Sequence, residues 1–233
     1  MATFTYVPDF PVSESSAPRV NRNAVPSYEQ RTTFGIFEQF DTWDLTFSAR
    51  TATERDDIYA FLEGEGGTTP FTWETPFGET ASFVCSKWDT TLDSCNLNTI
   101  RASFESQYLP GGPNFTTPAA PTTAFSYVPE FAAQHSYDSN ARVTNFGDGY
   151  RQRIKFGLQP QQEEWRLTFS NRSNAERDLI RAYLRGARGV DSFLWTDPKS
   201  TQTVKFVCAQ WSVEYNRFNN NEIQATFRRV FEN

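Results

Sequence analysis

The sequence predicts a mainly β chain with one short helix in each of two tandem β-sandwich or barrel domains. Three observations carry this. Aromatic and branched residues alternate with polar ones in several short runs. Each half holds a single segment with helical spacing and capping signals. The second half repeats the first in order.

Self-comparison sets the organisation. Phe4-Thr5-Tyr6-Val7-Pro8-Asp9-Phe10 recurs as Phe125-Ser126-Tyr127-Val128-Pro129-Glu130-Phe131. Trp43 to Leu62 aligns with Trp165 to Leu184, with 12 identities over 20 positions. Phe83-Val84-Cys85 returns as Phe206-Val207-Cys208, and Trp88 as Trp211. Residues 109–123 are rich in Pro, Gly and Thr, a composition that favours an extended, semi-stiff linker over packed structure. The expected domains are therefore 1–108 and 124–233, each with its own core.

The elements follow from local chemistry. Trp43, Leu45 and Phe47 alternate with polar residues, as do Trp165, Leu167 and Phe169, and period two predicts half-buried strands. Thr51-Ala52-Thr53-Glu54 and Ser173-Asn174-Ala175-Glu176 are capping boxes. Ile58, Phe61 and Leu62, and Ile180, Tyr183 and Leu184, then fall on one helical face. Gly64 and Gly186 stand at the expected helix stops, about three turns on. Phe71-Thr72-Trp73, Phe193-Leu194-Trp195, Ile100 to Phe104 and Ile223 to Phe227 read as further strands, giving roughly six to eight per copy.

Composition narrows the chemistry. The 22 Phe, 9 Tyr and 6 Trp supply ample apolar surface, against disorder. No apolar run approaches ~18 residues, against membrane insertion. Met1 to Phe10 lacks a secretory pattern, and three cysteines (Cys85, Cys95 and Cys208) cannot close into disulfide pairs, so synthesis in a reducing cytoplasm is expected. Cys85 and Cys208 read as buried small hydrophobes.

No zinc spacing, glycine-rich phosphate loop or matched acid pair is seen, so neither a cofactor nor an enzymatic activity is expected. The single histidine, His135, reads as a surface loop residue. Asp56-Asp57 and Glu163-Glu164 read as solvated faces.

The halves differ in charge. Residues 1–115 hold 7 Lys/Arg and 16 Asp/Glu, and residues 116–233 hold 15 and 12. Part of the difference lies on the aligned helices: Asp57, Glu63 and Glu65 in the first copy, Arg181, Arg185 and Arg188 in the second. Acidic and basic domains alternating around a ring attract at each junction. These six residues, with Asp148 and Arg151 of the Phe146-Gly147-Asp148-Gly149-Tyr150-Arg151 turn, are the candidate ring interface.

Each copy resembles the phage minor tail protein M family, the small tail-tip proteins of lambda-like phages. The second copy carries Ala141-Arg142-Val143, Phe146 to Arg153, Phe193-Leu194-Trp195-Thr196-Asp197-Pro198, Phe206-Val207-Cys208 and Trp211. The first keeps Pro18-Arg19-Val20, Tyr28 to Arg31 and Phe71 to Pro76, but reads Asn23-Ala24-Val25-Pro26-Ser27 in place of Phe-Gly-Asp-Gly.

The resemblance implies a structural tail-tip protein in the virion, at the distal end of the tail. It implies a fold like that of tail-tube subunits, and six domains ringing the channel through which phage DNA passes without sequence-specific contact. Tail-tube and hub proteins are its implied partners. Two domains per chain make three chains the favoured ring, with a hexamer as the alternative. A carbohydrate- or host-surface-binding module is the other functional reading; exposed Trp73, Trp88, Trp195 and Trp211 would favour it.

Overall fold

The computed structural model describes residues 1–25, 28–33, 35, 39–94, 96–139, 141–155 and 161–232. Pro26, Ser27 and Cys95 lie outside the described residues.

The first half runs β1 (Thr3–Phe4), β2 (Asp9–Pro18), β3 (Val20–Val25), β4 (Tyr28–Thr33), β5 (Gln39–Arg50), α1 (Ala52–Glu65), β6 (Phe71–Glu74), β7 (Thr80–Ser94) and β8 (Leu97–Ser106). The second runs β9 (Gln134–Ser139), β10 (Ala141–Asn145), β11 (Arg151–Lys155), β12 (Gln161–Arg172), α2 (Asn174–Ala187), β13 (Phe193–Thr196), β14 (Thr203–Arg217) and β15 (Asn220–Arg229). The fold is mainly β and sandwich-like with one helix on each half, as the pattern predicts. Its main sheet stays open and does not close into a barrel.

The two halves repeat each other in three dimensions. In the first, the strand order is β1-β6-β7-β8-β5-β2; in the second it is β13-β14-β15-β12-β9. An isolated bridge between Phe125 and Trp195 takes the place of the β1–β6 pair. Side chains repeat as well. Phe4 meets Phe104 at 5.2 Å between ring centroids, and Phe125 meets Phe227 at 5.2 Å. Trp73 and Phe104 are 5.3 Å apart, Trp195 and Phe227 5.4 Å. These edge-on pairs repeat the same core packing in both halves.

The first helix starts with the predicted capping box, whereas the second keeps only its hydroxyl half, the Glu176 carboxylate meeting the Ser173 hydroxyl at 3.4 Å. Thr51 accepts from the Glu54 amide at 3.2 Å, and the Glu54 carboxylate returns to the Thr51 amide at 3.1 Å. Ser173 accepts from the Glu176 amide at 3.2 Å. A second cap comes from the hairpin turn next door: Asn96 and Asn219, both at positive φ, each accept a helix amide at 2.9 Å (Ala52 and Asn174).

The predicted helix stops need correction. Both helices run 14 residues, so Gly64 and Gly186 lie inside the last turn. The left-handed caps are Gly66 (φ 59°) and Arg188 (φ 50°). Gly186 has another reason to be glycine: a Cβ there would lie 2.5 Å from the Ala119 carbonyl oxygen.

That contact belongs to residues 109–123, which form neither helix nor strand, as their composition predicts, yet are packed. Phe115 sits 5.6 Å from Phe83, and Tyr183 donates to the Thr123 carbonyl at 2.6 Å. Pro113 accepts from the Ser82 amide at 2.9 Å. The segment is extended but tied down along both halves, because its carbonyls meet donors and its aromatic meets a core.

The two expected cores also merge. Trp43 stacks on Tyr215 of the other half, with centroids 6.1 Å apart and planes within 14°, and the buried apolar residues of both halves form one cluster.

Candidate assembly interface

One strand joins the halves. β2 pairs with β5 on one side and with β14 of the second copy on the other. The register across the join is Ser16 with Trp211, Ser15 with Ser212, Glu14 with Val213, Ser13 with Glu214 and Val12 with Tyr215. The main sheet, 11 strands among the described residues, therefore passes unbroken from one copy to the other.

Above this join, α2 points three arginines at the first half. Arg181 grips Glu14 with Nε to Oε2 and Nη2 to Oε1, both 2.8 Å, and reaches Glu79 at 2.7 Å. Arg185 pairs with Asp41, which also accepts from the Ser16 hydroxyl at 2.6 Å. Arg177 and Arg181 lie 4.5 Å and 4.3 Å over the ring of Phe77, whose centroid is 4.5 Å from that of Tyr215. Two-pronged contact matches the planar guanidinium to a carboxylate and adds direction to charge attraction.

The Glu14 and Asp41 pairs are out of water, whereas Glu79 stands partly in solvent. Arg181 and Arg185 are 6% and 3% exposed, Glu14 and Asp41 0% and 1%. Burial pushes the Glu14 carboxyl above its usual range, and Arg181 pulls it back. Burial likewise opposes the charge on Arg181, and Glu14 more than restores it. Burial drives the Tyr215 hydroxyl well above 10, with Glu14 adding to the shift. The pair is held together by mutual dependence: either charge alone in this place costs several kcal/mol.

The join extends at both ends. The β3–β4 hairpin lies against the second copy through Arg31, which donates to the Val190 carbonyl at 3.1 Å and pairs with Glu232. A Cβ on Gly189 would lie 2.5 Å from Pro18.

The candidate ring residues fall into two sets. Arg181 and Arg185 are spent inside the chain. Asp57 and Glu63 are exposed on α1 and Glu65 is half-buried. Asp148 (φ 63°) and Arg151 are exposed on the β10–β11 hairpin. Arg188 caps α2 and lies 3.7 Å from Asp191. Attraction between an acidic and a basic copy is thus realised within one chain. Its acidic partners, Glu14, Asp41 and Glu79, were not candidates. The available signal was an acid at an inward position of an alternating strand, where Val12-Ser13-Glu14 places Glu14 on the face of Val12.

Two other expectations are corrected. His135 is on β9, not in a loop: it pairs with Trp165 across the sheet, stacks on it at 4.0 Å, and meets Glu163 at 2.9 Å. Glu163 is not on a solvated face. It is 5% exposed and also holds Arg229 at 3.0 Å and the Trp165 indole at 2.9 Å. Asp56 and Asp57 are exposed, as expected.

Trp73, Trp195 and Trp211 are buried and Trp88 is half-buried, so three of the four have no face for stacking on a sugar. Cys85 and Cys208 are buried, and burial lifts their thiols to about 11 and about 12. No trio of metal-ligating side chains is gathered among the described residues.

Known proteins place these features. The sequence profile of the phage minor tail protein family matches twice, over residues 2–108 and 123–231. Tail tip protein M of Escherichia phage lambda is 33% identical over 91 residues, which is 39% of this chain and 82% of that protein. With a duplicated sheet, a helix on each copy and both copies matched in full order, the chain belongs to the phage minor tail protein family and is a structural component of a phage tail.

Proposed function

We propose that the chain forms a ring at the distal end of the tail, around the DNA channel, and joins the tail tube to the central hub. Three chains supply six domains. One observation carries this reading: β2 of the first copy pairs antiparallel with β14 of the second, so the two copies are neighbours side by side in one sheet. A chain built this way is two consecutive units of a larger array. Head-to-tail arrays close into rings when the rotation per unit fits.

Tail-tube and hub proteins are the partners on the ring's two faces, and the channel passes DNA without reading it. Asp57, Glu63, Glu65, Asp148 and Arg151 remain free to meet neighbouring chains, whereas Arg181 and Arg185 fix the two units within each chain. Their buried contacts make the pair of units rigid before assembly. Scaffolding, not catalysis, is the role. Native mass spectrometry of the isolated assembly tests the stoichiometry: three chains are expected, and six would refute it.

A further inference from the structure

The internal join has an unfilled twin. Under the repeat, β2 corresponds to β9, and β14 corresponds to β7. Among the described residues, β9 pairs only with β12 and ends the sheet. The stretch Trp88 to Leu92 of β7 pairs only with β8, whereas its counterpart Trp211 to Tyr215 carries β2 on its other side. Each chain therefore presents one half of the join at each end. Unpaired strand edges are templates for further strands.

The same holds for the hairpins. β3–β4 is fastened to the second copy by Arg31. Its twin, β10–β11, is exposed at all ten strand residues. It carries Val143, Ile154, Phe146 and Tyr150 in the open, together with Arg142, Arg151, Arg153 and Lys155. Such an arm suits an acidic partner, and the first half of this chain is the acidic one.

We infer that β9 of one chain adds to β7 of a second copy, and that the β10–β11 arm lies on that copy's first half. This names the contact of the ring proposed above and rests on that reading for closure. The internal register transfers directly: Tyr137 opposite Trp88, Ser136 opposite Asp89, His135 opposite Thr90 and Gln134 opposite Thr91. Arg153, the twin of Arg31, reaches the carbonyl of Thr68, the twin of Val190.

The two junctions differ in chemistry. Tyr59 stands where Arg181 does, and His135 where Glu14 does. Glu163, the twin of Asp41, is already neutralised by Arg229 of its own half. Ser106 occupies the Arg229 position in the first copy and donates no charge, so Asp41 takes its cation from the other half. The free edge can therefore meet water without a stranded carboxylate, and joins a second copy through aromatic contact and the basic arm.

Paired cysteines test this. Gln134 and Thr91 are both exposed, and directly opposed strand residues bring Cβ atoms into disulfide range. Mild oxidation of the full chain carrying Gln134→Cys and Thr91→Cys should give a disulfide ladder ending at three chains. Each single variant gives at most dimers, and Gln134→Cys with Ser86→Cys, out of register, gives no ladder. Adding Arg153→Ala should slow ladder formation about tenfold, the effect of one lost charged hydrogen bond, without changing thermal unfolding of the isolated chain. A double variant that links no further than its single variants, or a control that links equally well, overturns the contact. A ladder that climbs past three upholds the contact and overturns the three-chain ring.

Discussion

Arg181 and Glu14 stand 167 residues apart in sequence and meet through two hydrogen bonds of 2.8 Å. The guanidinium comes from the basic helix of the second copy and the carboxylate from an edge strand of the first. Their meeting ties the two copies of the tandem repeat together. Removing one partner leaves a buried charge uncompensated. Arg181→Met should cost roughly 3–5 kcal/mol in urea unfolding. The double variant Arg181→Met, Glu14→Met should recover most of that loss, because both desolvation penalties vanish together.

The two glycines near the helix ends separate space from conformation. Nothing lies within 4 Å of a Cβ built on Gly64, and its φ is ordinary, so Gly64→Ala should stabilise by up to about 1 kcal/mol through helix propensity. Gly186→Ala meets the Ala119 carbonyl and should destabilise by about 1–3 kcal/mol. Thermal unfolding of the two variants should shift in opposite directions.

The helix caps should act alike and independently. Thr51→Ala and Ser173→Ala should each lose about 1 kcal/mol. Their losses should add in the double variant, since the two caps share no partner. Chemical denaturation of the three variants checks this.

Asp197 gives the chain an acid-sensitive turn. Burial would raise its carboxyl, but the Ser200 hydroxyl and the amides of Ser200 (2.5 Å) and Lys199 (3.0 Å) overcome that and hold it below 3.8. A depressed folded value stabilises above the unfolded value and is lost as pH falls. Asp197→Asn should therefore be less stable than the parent at pH 6. The gap should close as pH drops through 3.8 and below the folded value, read by denaturant titrations across the series.

The thiols of Cys85 and Cys208 should resist alkylation at pH 8 in the folded chain. Their environments raise them to about 11 and about 12, which leaves little thiolate. Peptide mass mapping after iodoacetamide, with and without urea, should show labelling of both only when unfolded.

The sequence pattern carried the local elements well. Period two around Trp43 and Trp165 and the hydroxyl caps at Thr51 and Ser173 state their geometry within a few residues of chain. The repeat carried the likeness of the two halves, element by element, but not the order of strands in the sheet. What it could not carry was the join. Strand β2 has two sequence-distant neighbours, and nothing in Val12 to Ser16 names Trp211 to Tyr215 as one of them. The charge split pointed to Arg181 and Arg185, but their partners depend on which copy faces which. The helix stop was misplaced because Gly186 is required by Ala119, a contact that spacing does not encode. His135 reads as a loop residue because Trp165, the ring it stacks on, lies on another strand.

In the proposed assembly each chain supplies two adjacent units of a ring at the tail's distal end. A reconstruction of the assembled tail tip with no sixfold symmetry imposed tests it most directly. Three chains are expected, their acidic and basic halves alternating around the channel, with β9 of each chain paired to β7 of the next. Six chains in the ring, or the chain found in peripheral fibres, would contradict it.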